Sequence, residues 1–323
     1  MSKMNMVSAI NQALHLEMER DETMIVMGED VGIDGGVFRA TQGLLDRFGE
    51  ERVIDTPLAE SCIAGMAIGM AMNGLRPVAE MQFMGFSLLA LNQMIAHAAR
   101  MRNRTRSRLT VPMVLRMPYG GGVRALEHHS ESTEVFHAHI PGLKVVVPST
   151  PREAKGLLLS SIRDPDPVIF LEPKRSYRLM RQEVDEGDFT IPLTQARTVR
   201  EGDDVTVIGY GGMIPLIEKA AQQMEGFSCE IIDLRTISPM DSETIMSSVR
   251  RTGRAVVVQE SPRSFGVGAE IAARIMEKAM LHLEAPVERV AAPDITVPLP
   301  KAEYYYYISP DKIMRGIAKV LEY

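Results

Sequence analysis

Apolar residues recur at helical spacing at Val7, Ile10, Leu14 and Met18, which predicts an amphipathic helix near the N-terminus. The apolar run 24–27 then reads as a buried strand ending at Gly28-Glu29-Asp30. The alternation continues. Val53-Ile54 is a strand, a helix runs from about Glu60 to Asn73, and Gly74 stops it. Residues 76–83 are strand-like and 86–100 helical. Residues 112–117 form a buried strand ahead of Gly120-Gly121-Gly122, and 143–147 a further strand. Residues 153–162 form a helix and 168–171 a strand. Short apolar strands alternating with helices predict a mostly parallel, doubly wound α/β sheet covered on both faces.

From Glu172 to Glu201 the chain is charged, lacks a core period and contains Pro and Gly, so it reads as a connection carrying short strands. A second alternating unit follows. Its strands are 205–208, 229–234, 255–259 and 287–290, and its helices are 214–224, a helix capped by Asp241, 269–283 and 310–321. The predicted division is a first domain over 1–185, a linker over 186–200 and a second domain over 201–323.

Composition changes little. A chain of 323 residues exceeds a typical single core, in line with two domains. A net charge of −6 points to neither a nucleic-acid nor a membrane surface. Cys62 and Cys229 lie far apart in apolar contexts, which fits a reducing compartment. The N-terminus carries no signal-like stretch, and no apolar run reaches the length of a membrane span. The expected localisation is cytoplasmic.

Candidate chemistry centres on Asp55-Thr56-Pro57-Leu58-Ala59-Glu60. Glu60 stands where a short loop enters an apolar, small-residue helix, and a charge there costs free energy unless a partner compensates it. It is either an acid that exchanges a proton or a first-turn acid favoured by the helix dipole. Gly209-Tyr210-Gly211-Gly212 follows a strand and invites a dinucleotide reading, but Ile214 stands where a third small residue belongs, so a tight turn is preferred. His128, His129, His137 and His139 cluster in sequence. His137 and His139, two apart, face opposite ways, and no cysteine completes a zinc tetrahedron. His128 or His129, after the glycine loop, could act as an acid–base residue or sit at the surface. Phe83, Met84 and Phe86 crowd one turn, as core packing or as a platform for a flat heterocycle.

Several ordered segments together carry a resemblance. They are Gly28-Glu29-Asp30-Val31, Gly35-Gly36-Val37-Phe38, Asp55-Thr56-Pro57-Leu58-Ala59-Glu60, Gly74-Leu75-Arg76-Pro77, Pro141-Gly142-Leu143-Lys144-Val145-Val146, Ala154-Lys155-Gly156-Leu157-Leu158 and Asp233-Leu234-Arg235-Thr236. From Met4 to Tyr323 the chain resembles the β-subunit of the thiamine-diphosphate-dependent decarboxylase component of 2-oxo acid dehydrogenase complexes.

The resemblance implies a pyrimidine-binding domain followed by a transketolase-like C-terminal domain. It also implies an α-subunit, in a tetramer of two α and two β chains, and a dihydrolipoyl acyltransferase core. The diphosphate-binding signature, Gly-Asp-Gly followed by paired Asn, is absent; Gly202-Asp203-Asp204 and Gly187-Asp188-Phe189 are only fragments of it. Mg²⁺ and the diphosphate would therefore be held mainly by the α chain, with thiamine diphosphate lying across the interface.

By resemblance Glu60 is the acid that hydrogen-bonds the aminopyrimidine ring, and His129 is the second catalytic residue, with His128 as competitor. Phe86 would pack on the pyrimidine, and Gln82 and Glu29 lie near the cofactor in relatives. The implied reaction is oxidative decarboxylation of a 2-oxo acid with reductive acylation of a lipoyl arm. The Glu172–Arg178 and Glu134–His139 segments favour branched-chain substrates, whereas Phe86 looks more like pyruvate members. A pyruvate- or acetoin-type subunit and a non-catalytic interaction subunit are the alternatives. Some relatives hold a monovalent cation such as K⁺ at positions matching Ser161, Ile162 and Asp164, but here Pro165 and Asp166 depart from the commoner Asn-rich loop.

Overall fold

Strands and helices alternate through most of the chain in the computed structural model, which describes residues Met1–Tyr323. In chain order the strands are β1 (Ser2–Met4), β2 (Met24–Gly28), β3 (Val53–Asp55), β4 (Arg76–Glu80), β5 (Val114–Tyr119), β6 (Lys144–Val146), β7 (Val168–Pro173), β8 (Gln182–Val184), β9 (Arg197–Arg200), β10 (Val205–Gly209), β11 (Cys229–Asp233), β12 (Thr236–Ser238), β13 (Ala255–Pro262) and β14 (Glu288–Ala292). A seven-stranded sheet has the order β12-β6-β7-β5-β4-β2-β3, parallel except for β12, and a five-stranded sheet has the order β14-β13-β10-β11-β9, parallel except for β9. β1 and β8 pair antiparallel in a small ribbon.

The first sheet is buried on both faces, which explains why its strands read as continuous apolar runs. On one face the helix Met6–Arg20 packs against the helix Pro151–Arg163. Each begins at a side-chain cap: Asn5 accepts from the Ser8 N–H, and Thr150 accepts from the Glu153 N–H ahead of Pro151. On the other face lies the helix Glu60–Met72, whose Gly and Ala residues allow close packing against the helix Ser87–Ala96.

Three departures from the sequence pattern have local causes. β4 ends at Glu80 because residues 82–86 turn into a 3₁₀ segment, with Gly85 pressed under the His128 carbonyl, where a Cβ would stand 2.3 Å from the oxygen. The helix expected over 86–100 breaks at His97, and the Arg104 guanidinium donates to the freed Ala96 carbonyl at 2.5 Å. Residues 236–238 lie beyond the second sheet's β11, yet as β12 they return to the edge of the first sheet against β6.

That return is buttressed by a buried polar cluster. Ser149 Oγ lies 2.6 Å from a Glu153 oxygen and also meets the Asp233 carboxyl; Arg235 Nε lies 2.8 Å and Arg197 Nε 2.9 Å from Glu153. Burial first, and the Glu153 charge second, push the Asp233 carboxyl up to about 8. In the C-terminal tail, Tyr306 and Tyr307 are buried whereas Tyr304 and Tyr305 are exposed. No helix is long and apolar enough to cross a membrane.

Candidate active site

In a parallel sheet the loops that leave the carboxyl ends of neighbouring strands meet on one edge, and ligands bind there. Strand order β7-β5-β4-β2-β3 brings five such loops together. Glu29 follows β2 and Glu60 closes the loop after β3. Gln82, Phe83 and Phe86 follow β4; Gly120–Gly122 and then His128 and His129 follow β5; Lys174 follows β7.

Glu60 sits in the first turn of its helix, is 5% exposed, and follows a residue, Ala59, that supplies no side-chain cap. Glu29 is 7% exposed, and its carboxyl is held above the usual range, by burial first and then by the nearby charges of Glu60 and Asp30. Asp30 adopts φ 58°, a left-handed conformation uncommon outside glycine, and accepts a hydrogen bond from Gln82 Nε2 at 2.9 Å. Glu60 is a first-turn acid that shares a buried corner with a second carboxylate.

The aromatic residues form a continuous wall. Phe83 meets His129 edge-on with centroids 4.6 Å apart, and Phe86 meets His129 at 5.3 Å and His128 at 5.2 Å. Phe38, from the loop after Gly35-Gly36, packs on Phe83 at 5.6 Å and on Tyr177 at 5.1 Å. His129 Nδ1 is buried with no hydrogen-bond partner, whereas His128 is exposed and its Nδ1 lies 3.4 Å from Glu131. A buried ring nitrogen without a partner in the chain is costly.

Joined to this wall through Phe38 and Tyr177 lies a charged floor that the sequence reading did not assemble. Arg116 on β5 donates to Glu172 on β7 through Nε at 2.7 Å and Nη2 at 2.8 Å, donates to Glu80 on β4, and shares Glu172 with the Tyr177 hydroxyl at 2.5 Å. Arg116, Glu80 and Glu172 are all buried. The two carboxylates hold the Arg116 guanidinium firmly charged despite its burial. A signal was available: an arginine inside the apolar run 112–117 and a glutamate directly after the run 168–171 each demand a partner.

The other candidates fall elsewhere. His137 is a core residue 3.2 Å from the Ser87 hydroxyl, and burial pushes its pKa down to about 4. His139 is exposed, on the rim of a cleft of about 1060 Å³ that also borders Arg102, Lys144 and Pro239 and that none of the five loops lines. Gly209-Tyr210-Gly211-Gly212 is a tight turn pressed against the first domain: a Cβ on Gly211 would stand 2.3 Å from the Tyr119 hydroxyl, which leaves no room for a dinucleotide.

Around Ser161, Ile162 and Asp164 the acceptors already have donors. Arg76 Nη1 reaches the Ile162 carbonyl at 2.8 Å, Lys144 Nζ reaches both Asp164 oxygens at 2.6 Å, and Arg102 Nε reaches Asp166 at 2.6 Å. Side-chain cations thus already serve the acceptors of this loop, which weighs against a monovalent ion there.

The chain matches two family models: the transketolase pyrimidine-binding domain over residues 2–180 and the transketolase C-terminal domain over 194–313. It is 54% identical over 322 residues to the pyruvate dehydrogenase E1 component subunit beta of Acholeplasma laidlawii, covering 99% of this chain and 98% of that one. The chain belongs to the family of E1 β-subunits of 2-oxo acid dehydrogenases. Within that family it is also 50% identical to the pyruvate dehydrogenase E1 subunit beta and 48% identical to the 2-oxoisovalerate dehydrogenase subunit beta of Bacillus subtilis, each over the full length of both chains. A solved split-gene transketolase described as an inactive β4 tetramer superposes with a TM-score of 0.81 at 20% identity, covering 99% of each chain, and shows the same fold.

Proposed function

We propose that this chain is the half of a thiamine-diphosphate enzyme that activates the cofactor's pyrimidine, while an α-subunit in a two-α, two-β tetramer supplies the diphosphate and Mg²⁺ site. The observation that carries the proposal is that the buried, interacting pair Glu60 and Glu29 and the Phe83–Phe86–His129 wall stand on loops that leave the same carboxyl edge of the first sheet. These residues fit the pyrimidine end of the cofactor: a buried acid for a ring nitrogen, a polar side chain from Gln82, and an aromatic face from Phe86. They do not fit the other end, for the chain lacks the diphosphate signature.

When bound, thiamine diphosphate supplies the electron sink for loss of CO₂ from the 2-oxo acid. Glu60 holds the proton at the ring nitrogen. Phe86 and Phe83 exclude water from that end. His129, on a separate loop, faces the substrate and moves a proton during acyl transfer to the lipoyl arm of a dihydrolipoyl acyltransferase.

The substrate reading is a branched-chain 2-oxo acid, supported by the Glu172–Arg178 and Glu134–His139 segments. Pyruvate is the second reading, supported by Phe86 and by the relatives named as pyruvate dehydrogenases. The test is reconstitution of the chain with its α partner, thiamine diphosphate and Mg²⁺, assayed with pyruvate and with 3-methyl-2-oxobutanoate. The chain alone turns over neither acid. The tetramer turns over both, with the higher kcat/KM for the branched acid. Robust turnover by the chain alone contradicts the division of labour, and strict pyruvate use overturns the substrate reading.

A further inference from the structure

The segment that carries His129 has almost no regular structure of its own. A single 3₁₀ turn, Glu127–His129, follows the glycine loop, and Leu126, Glu127 and His128 are exposed. A histidine on such a segment depends for its position on contacts from the elements around it.

Those contacts exist, and they come from three elements. The His128 carbonyl rests over Gly85, where only a missing Cβ leaves room. The His129 carbonyl accepts a hydrogen bond from Lys174 Nζ, at the end of β7. The Ser130 carbonyl faces the Tyr307 hydroxyl at 3.5 Å, across the boundary with the second sheet's domain. Three consecutive carbonyls are thereby held, two of them by side chains more than forty residues away.

Lys174 is built for this. It is 4% exposed, so its ammonium has few alternatives to the carbonyl it meets. Nζ also stands 5.0 Å from the Phe83 ring centre, the same ring that meets His129 edge-on. Lys174 therefore fixes the backbone of His129 on one side and the aromatic surface against its imidazole on the other. Burial lowers its pKa to about 8 while Glu260 and Glu303 pull the other way, so the ammonium stays charged at neutral pH.

We infer that Lys174 is a positioning residue for His129: its ammonium clamps the His129 carbonyl and braces Phe83, with the Tyr307 hydroxyl as an interdomain second support at Ser130. The inference rests on the reading of His129 given above, but one of its consequences can be measured without catalysis.

Hydrogen–deuterium exchange of the full-length chain, without cofactor, gives that measurement. Lys174→Met removes a charge-assisted bond and should speed exchange across residues 126–133 by roughly 10- to 100-fold, with the helix Glu60–Met72 unaffected. Unchanged exchange in that segment overturns the clamp. In the assembled enzyme, Lys174→Met should lower kcat for lipoyl acylation on the order of tenfold, and Lys174→Arg should recover part of the loss. In a His129→Ala background the Lys174 substitution should cost nothing further. An equal loss in both backgrounds shows that Lys174 acts elsewhere and overturns the inference.

Where Lys174→Met does not fold, Tyr307→Phe, which deletes one hydroxyl, should speed exchange in the same segment, and no change there is equally contrary. If the wild-type tetramer turns over neither 2-oxo acid, the functional reading fails while the exchange result stands or falls by itself.

Discussion

Arg116 grips Glu172 through two bonds of 2.7 and 2.8 Å, and neither residue is more than 1% exposed. Strands β5 and β7 are adjacent and in register, with Arg116 beside Phe170, so the pair ties together the strands from which the His129 and Lys174 loops depart. Removing the arginine strands two carboxylates in the core. Arg116→Met should lower unfolding stability by ~3–5 kcal/mol as read by urea denaturation. Adding Glu80→Gln and Glu172→Gln should recover part of the loss, because the unpaired charges go with them. A loss below about 1 kcal/mol, the range of exposed pairs, would show that the floor carries little.

His137 gives a pH signature. Its folded pKa is pushed down to about 4 by burial, below the unfolded value of 6.5. The unfolded chain therefore binds the extra proton between those values. The stability contributed by the neutral ring is fully present above pH 6.5 and is lost as pH falls towards 4. His137→Gln, which keeps a partner for Ser87 but cannot titrate, should lose less stability than wild type over that window. Parallel stability–pH curves would assign the acid sensitivity to other groups.

The fixed cations beside Asp164 make a prediction about salt. Lys144, Arg76 and Arg102 already serve the acceptors of that loop. Replacing potassium with choline at constant ionic strength should leave the thermal midpoint of the tetramer unchanged. Lys144→Met should lower the midpoint, and potassium should then restore part of it. A rise of the wild-type midpoint with potassium but not with choline would mean that the side chains give way to an ion.

Much of this was legible in the chain. Apolar runs and helical spacing located both sheets, and the ordered motifs from Gly28-Glu29-Asp30-Val31 and Asp55–Glu60 to Asp233–Thr236 carried the resemblance to the family. The sequence did not show β12 crossing back to the first sheet, since three residues of strand carry no period to read. Nor did it show Arg116 meeting Glu172, or Lys174 reaching His129. Those partners are 56 and 45 residues apart, and only strand order decides that they are neighbours. Sequence marks where a buried charge needs a partner, and topology supplies the partner.

The two site residues should separate in the catalytic cycle. His129 lies on the β5 loop and Glu60 after β3, on opposite sides of the Phe83–Phe86 wall's own loop in strand order. His129→Ala should leave exchange of the cofactor's thiazolium C2 hydrogen nearly intact while lowering acyl transfer to the lipoyl arm. Survival of activity with an artificial electron acceptor would place His129 in that second half-reaction, and joint loss would place it in substrate binding or decarboxylation. If His128→Ala gives these defects and His129→Ala does not, the exposed histidine is the functional one.

The most direct test of the division of labour is C2 hydrogen exchange of thiamine diphosphate in the assembled tetramer, compared between wild type and Glu60→Gln. The substitution keeps the shape of the side chain and removes its ionisable carboxyl. Exchange should slow on the order of 100-fold or more, as loss of a general acid–base group does, with cofactor still bound through the α-subunit. Unchanged exchange in a correctly assembled Glu60→Gln tetramer would make Glu60 a structural helix-start acid and contradict the role assigned to this chain.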